Sequence, residues 1–224
     1  MRSQSFSEHL WQLATPTWQA IMRHPFLREL ESGTLPIEKF SYYIVQDYHY
    51  LAGFGRCAAA ALSAAQDTNT ARRLLHRVTT PVERPLHGRL FDALGVSTDE
   101  VDASHPAPTN IAYQNHMEVS MRAGGMACGV AALLPCPRIY HEVGKILSEP
   151  DDPVFKIWRS TYSEGLLKES TRAWSEHLDD LAATAGPDLL EQMTAAYLTS
   201  AQYEHMFWSM AYNLEQWPVD ADPH

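Results

Sequence analysis

Apolar side chains in this chain recur every three or four positions and almost nowhere every second one. That period lays them along one stripe of a helix, whereas a half-buried strand would alternate. Leu10, Trp11, Trp18, Ile21 and Met22 follow the rule in the first segment. Val, Ile and Thr, which strands favour, are sparse and scattered. The pattern predicts an all-α fold: one helical domain over residues 1–224, a bundle of about eight to ten helices.

Caps and prolines mark the boundaries. Ser5 to Glu8 and Ser97 to Glu100 each have the capping-box pattern. Pro16 predicts a kink. Phe26 and Leu27 open a short helix that stops near Gly33, and Pro36 sits in the first turn of a long helix to about Ala65. Residues 69–95 read as one helix distorted by Pro81 and Pro85. Pro106 to Pro108 is a break. A helix runs from Thr109 to about Arg122, turns at Gly124 and Gly125, and continues from Met126 to Leu147. Asp152 caps the next helix, another covers roughly 163–183, and the last follows Gly186 and Pro187 and ends before Pro218. No low-complexity tract, charge block or long repeat divides the chain.

The net charge of −10 disfavours nucleic acid and anionic membrane surfaces, both of which call for Lys and Arg. No run of about 20 apolar residues suggests a membrane span. No signal-peptide stretch precedes the first helix. Cys57, Cys128 and Cys136 are odd in number and lack a CxxC spacing, which reads as a reduced cytoplasmic protein.

Chemistry concentrates in a few places. Cys136 stands between Pro135 and Pro137 at the end of an apolar run, where lost backbone donors disturb the helix. Tyr140 follows one turn later on the same face. Tyr43, Asp47 and Tyr50 share a face of the long helix. A carboxylate among aromatics there suits a flat basic ligand, or a salt bridge to a neighbouring helix. Glu204 stands with Phe207 in an aromatic run of the last helix, and Tyr113 lies on another helix. One thiol, two carboxylates and several phenols on different helices suit covalent catalysis on a heteroaromatic amine. Glu83 and His87, at i and i+4, keep open a metal-dependent oxygenase. A pyrimidine-binding protein without turnover is also open.

The chain resembles the TenA family (thiaminase II, or aminopyrimidine aminohydrolase) from about residue 6 to Pro218. The resemblance is carried by His24-Pro-Phe26, Gly33-Thr-Leu-Pro36, Val45-Gln-Asp-Tyr48, Glu83 with His87, Ala112-Tyr113, Leu133-Leu-Pro-Cys136, Tyr140-His-Glu-Val-Gly144, Thr161-Tyr162 and Tyr203-Glu-His-Met-Phe-Trp208. It implies a haem-oxygenase-like helical fold without haem or other cofactor, and a homotetramer. It implies hydrolysis of 4-amino-5-aminomethyl-2-methylpyrimidine to the hydroxymethyl pyrimidine in thiamin salvage, and cleavage of thiamin to pyrimidine and thiazole. By the same resemblance Cys136 is the nucleophile, Glu204 the acid/base, and Asp47 the carboxylate on the aminopyrimidine edge. Tyr50, Tyr113, Tyr140, Tyr162 and Phe207 are then pocket contacts, and no residue binds a metal. Pro137 and Arg138 stand where the family carries aromatics, flanking the expected pocket.

Overall fold

The computed structural model describes residues 4–65, 67–79, 84–165 and 167–219. Among them are twelve α-helices and no strand. α1 (Phe6–Leu13), α2 (Thr15–Met22) and α3 (Pro25–Ser32) are short. α4 (Ile37–Ser63) is long; α5 (Thr68–Thr79), α6 (Arg84–Leu94) and α7 (Thr98–Ala103) follow. α8 (Pro108–Leu133), α9 (Pro135–Ile146), α10 (Pro153–Ser163), α11 (Lys168–Ala182) and α12 (Pro187–Asn213) complete the chain. The count exceeds the sequence-based one because neighbours read as one rod are separate segments. α1 meets α2 at Ala14, and α8 meets α9 at Leu134.

Proline explains most of these junctions. Pro16 and Pro135 lie in the first turn of α2 and α9, where a missing N–H costs little. Pro135 and Pro137 cannot donate to the carbonyls of Ala131 and Leu133, so the ladder is interrupted there without an internal kink. The span read as one helix over 69–95 is two, α5 and α6. Pro85 falls in the first turn of α6, and Pro81 lies outside the described residues. α11 begins at Lys168 rather than near 163, because Gly165 adopts φ +81° after α10 and turns the chain. The turn read at Gly124 and Gly125 is a single residue inside α8: Gly125, at φ 65° and ψ −160°. The Ser97 capping box is complete. At Ser5, the hydroxyl accepts from the Glu8 N–H, while the Glu8 carboxylate is engaged by Arg138.

α4, α8 and α12 form the centre, with α12 packed most extensively on α8 and α4 against both. α2 and α3 lie along α12; α9 and α10 pack on each other, and α6 fits between α10 and α4. Trp158, Trp174 and Trp208 are all buried in this core. Burying each large apolar side chain contributes about 1.5–3 kcal/mol. A window within Pro108–Ile146 is long and apolar enough to cross a bilayer by length and composition, contrary to the sequence reading, but 56% of it is buried inside the fold. Its buried stretch, Ala127 to Leu134, packs among the central helices as a core segment does.

Candidate active site

Each predicted site residue is buried, and together they lie on five helices. Helical spacing puts Tyr43, Asp47 and Tyr50 of α4 on one inward face. α8 adds Tyr113, α9 adds Cys136 and Tyr140 one turn apart, α10 adds Tyr162, and α12 adds Glu204 and Phe207. Cys136 is 5% exposed, Asp47 5% and Glu204 2%.

Both carboxylates have partners, as buried charges require. The Tyr113 hydroxyl donates to Glu204 Oε1 at 2.7 Å. His87 Nε2, from α6, lies 2.9 Å from Asp47 Oδ2. A carboxylate oxygen accepts, so that ring nitrogen carries the proton. His87 is therefore committed to Asp47 through this nitrogen, and Glu83 lies outside the described residues. Among the described residues no group of three or more His, Cys, Asp or Glu is placed to hold a metal.

The rings pack against one another. Tyr50 lies 5.0 Å from Tyr113 and 5.6 Å from Phe207, centroid to centroid. Tyr203 stacks on the Tyr113 ring at 5.2 Å and 11°. Tyr140 contacts Tyr162 and Trp208, each at 5.3 Å. Such pairs contribute about 0.5–1.5 kcal/mol each beyond area burial. The hydroxyls of Tyr43 and Tyr140 are 3.0 Å apart, and the Trp158 indole N–H donates to Tyr43 at 3.3 Å.

Electrostatics tie the thiol to the acids. Burial, then the neighbouring Cys136, Tyr113 and Glu204, holds the Tyr50 phenol well above its ordinary range. Tyr113 is raised by burial, then by Glu204 and Cys136. Tyr140 is raised by burial, then by Tyr43, Asp47 and Glu204. The three phenols thus keep their protons at neutral pH. Cys136 and Glu204 bear on the same two phenols, and Asp47 and Glu204 on the third.

Two residues of this arrangement, Trp158 and His87, have no assigned role at the site in the sequence reading, which does place Trp208 with Glu204 and Phe207 on the aromatic face of the last helix. Trp158 is one turn before Tyr162, so helical spacing from the phenol would have found it. His87, offered by the sequence either as half of a metal pair or as a helix–helix hydrogen-bond partner, pairs with Asp47 of α4. Pro137 and Arg138 serve the packing of α9 on its neighbours. The Pro137 carbonyl accepts from Thr171 of α11 at 2.9 Å. Arg138 lies 2.8 Å from Glu8 and sits over the Trp11 ring of α1 at 4.7 Å. Two buried nitrogens at the site, His87 Nδ1 and Trp208 Nε1, have no hydrogen-bond partner among the described residues.

The all-α frame is of the heme oxygenase-like kind. A domain of unknown function with that fold from Shewanella denitrificans OS217 superposes with a TM-score of 0.73, covering 92% of each chain at 13% identity. Residues 11–214 match the TENA/THI-4/PQQC family, and the chain belongs to that family. It is 33% identical over 220 residues to the aminopyrimidine aminohydrolase of Bacillus subtilis (strain 168), covering 96% of this chain and 93% of the relative. A TenA homologue protein from P. horikoshii OT3 superposes with a TM-score of 0.85 at 25% identity, covering 94% of this chain and 99% of the other.

Proposed function

We propose that this protein is an aminopyrimidine aminohydrolase of thiamin salvage. It hydrolyses 4-amino-5-aminomethyl-2-methylpyrimidine to the hydroxymethyl pyrimidine, and it also cleaves thiamin to pyrimidine and thiazole. Membership of the family and the aminohydrolase relative support the substrate class. The mechanism is supported by the burial of Cys136, Glu204 and Asp47 and by the phenols they share: Cys136 and Glu204 both act on Tyr50, and Asp47 and Glu204 on Tyr140.

In this reading Cys136 is the nucleophile, Glu204 the acid/base, and Asp47 the contact to the aminopyrimidine edge, oriented by His87. Tyr50, Tyr113, Tyr140, Tyr162 and Phe207 hold the ring plane. Protonation of a ring nitrogen by Glu204 makes the pyrimidine electrophilic. The Cys136 sulfur bonds to a ring carbon, and the ring nitrogen takes up the electron pair. That pair returns as the C–N bond of the methylene arm breaks, and the amine leaves with a proton. Water then adds to the methylene carbon, the sulfur–carbon bond breaks, and the thiolate is restored. Acid/base assistance of this kind supplies about 10²–10⁴-fold.

The protein works as one domain and as a homotetramer, with a small pyrimidine or thiamin as its only partner class. Exposed Leu13, Ile37, Val119 and Ile146 offer apolar surface for subunit contact, and light scattering tests the assembly. A cytoplasmic location accords with three buried cysteines, none of them in a disulfide. The activity test is turnover of the aminomethyl pyrimidine and of thiamin, side by side, by wild type, Cys136→Ala and Glu204→Gln. Both variants should fold and lose turnover. Full rate in Cys136→Ala removes the thiol from the mechanism, and binding without product overturns the hydrolase reading.

A further inference from the structure

The direction of the Tyr140 hydroxyl is set by two residues outside the proposed catalytic set. An indole N–H can only donate. Trp158 Nε1 therefore spends its proton on the Tyr43 oxygen, 3.3 Å away. Tyr43 in turn donates to the Tyr140 oxygen at 3.0 Å. Tyr140 is the acceptor at the end of this chain, so its own hydrogen must point away from Tyr43. Among the described residues no acceptor takes that hydrogen.

The three rings have little room to turn. Tyr43 is 0% exposed, Trp158 1% and Tyr140 4%. Trp208 stacks on Tyr43 at 5.1 Å and 19°, and Phe207 stands edge-on to it at 6.1 Å. Tyr140 is held between Trp208 and Tyr162. A phenol hydrogen prefers its ring plane, which offers two directions, and the bond from Tyr43 occupies one of them. Cys136 lies one turn before Tyr140 on the same buried face of α9, so the Tyr140 ring shares that face with the thiol, and Asp47 and Glu204 both act on it electrostatically.

We propose that Trp158 and Tyr43 form a positioning relay that holds Tyr140 as a hydrogen-bond donor toward a lone pair on the bound heteroaromatic, a ring nitrogen or an exocyclic heteroatom. The identity of that ligand rests on the function proposed above. Tyr43 and Trp158 touch neither the ligand nor the sulfur in this reading; they act through Tyr140. Deleting the Tyr43 hydroxyl leaves the Trp158 N–H unpaired and lets the Tyr140 hydrogen swing to the vacated side.

The experiment compares wild type, Tyr43→Phe, Tyr140→Phe and the double variant. Losing one neutral hydrogen bond that fixes a donor should lower kcat/KM for the aminomethyl pyrimidine about tenfold in Tyr43→Phe. Tyr140→Phe should lose at least as much, and the double variant no more than Tyr140→Phe alone. Dissociation constants for the hydroxymethyl pyrimidine, by calorimetry, should show the same non-additivity. Losses that multiply in the double variant mean that the hydroxyls act separately and overturn the relay. A separate readout needs no ligand. With ¹⁵N-labelled tryptophan, the Trp158 indole N–H signal should move upfield and exchange faster in Tyr43→Phe but stay in place in Tyr140→Phe. An unmoved signal in Tyr43→Phe overturns the relay. Wild type that neither binds nor converts the pyrimidine overturns the functional reading instead, while the indole signal still decides the relay.

Discussion

Replacing Gly144 by alanine would put a methyl carbon 2.6 Å from the carbonyl carbon and oxygen of Tyr162 and 2.8 Å from its Cβ. Carbon contacts are at their best from about 3.5 Å, so α9 and α10 would have to part by roughly 0.9 Å. The obstacle is backbone, which cannot rotate aside as a side-chain tip can. Overpacking of this kind costs about 1–3 kcal/mol, partly offset by the roughly 1 kcal/mol that alanine gains over glycine in a helix. The net loss should be up to about 2 kcal/mol, or up to roughly 8 °C in Tm for a chain of this size. Gly55→Ala is the control, because nothing lies within 4 Å of a Cβ there. It should raise Tm slightly. The displaced residue is Tyr162, which backs Tyr140 at 5.3 Å and Trp158 at 4.9 Å. A shift approaching 1 Å in that wall should lower kcat/KM by about 10- to 100-fold. Thermal melts and initial rates on the two glycine variants read both effects. Gly144→Ala with a Tm at or above that of Gly55→Ala, and with wild-type rates, would refute the close approach and the role given to Tyr162.

Three other expectations follow from the geometry. His87→Ala leaves the Asp47 carboxylate buried without its 2.9 Å partner and should cost about 3–5 kcal/mol, with Asp47→Asn in the same chain recovering much of it in urea unfolding. His24 caps α3 through Nδ1, and burial, then His205, lowers its pKa from 6.5 to about 4. Between those values the unfolded chain binds a proton that the fold does not, so stability should fall as pH drops from about 6.5 toward 4. His24→Asn keeps a capping side chain and should flatten Tm against pH across that window. Glu215 accepts from the Thr109 N–H at 2.9 Å and its hydroxyl at 3.0 Å, capping α8 from the far end of the chain. Glu215→Ala should therefore cost about 1–2 kcal/mol in denaturant melts and leave turnover unchanged.

Local rules made much of the fold legible. Ser97 and Glu100 are three residues apart, and their box forms as written. Asp152 caps α10 through two backbone N–H groups, again as its spacing says. The Ser5 box is half made because Glu8 meets Arg138, 130 positions away, and no local rule foresees that partner. The shared face of Tyr43, Asp47 and Tyr50 follows from helical geometry alone. What lies opposite that face does not: His87 reaches Asp47 across 40 positions, and Trp158 reaches Tyr43 across 115. Both contacts depend on how α6 and α10 dock, which is decided by packing over the whole core. Gly165 shows the same limit at a boundary, since its left-handed conformation delays α11 where periodicity alone would start it.

Asp47 and Glu204 sit on helices near opposite ends of the chain, and the groups between them ride on α8, α9 and α10. A fragment without α4, α8, α9, α10 or α12 would therefore lack at least one of these groups. Peeling one helix from the edge should silence turnover well before most of the backbone signal is gone. Enzymatic rate would then be a more sensitive gauge of sub-global opening than circular dichroism, and amide exchange in α6 and α10 should track its loss.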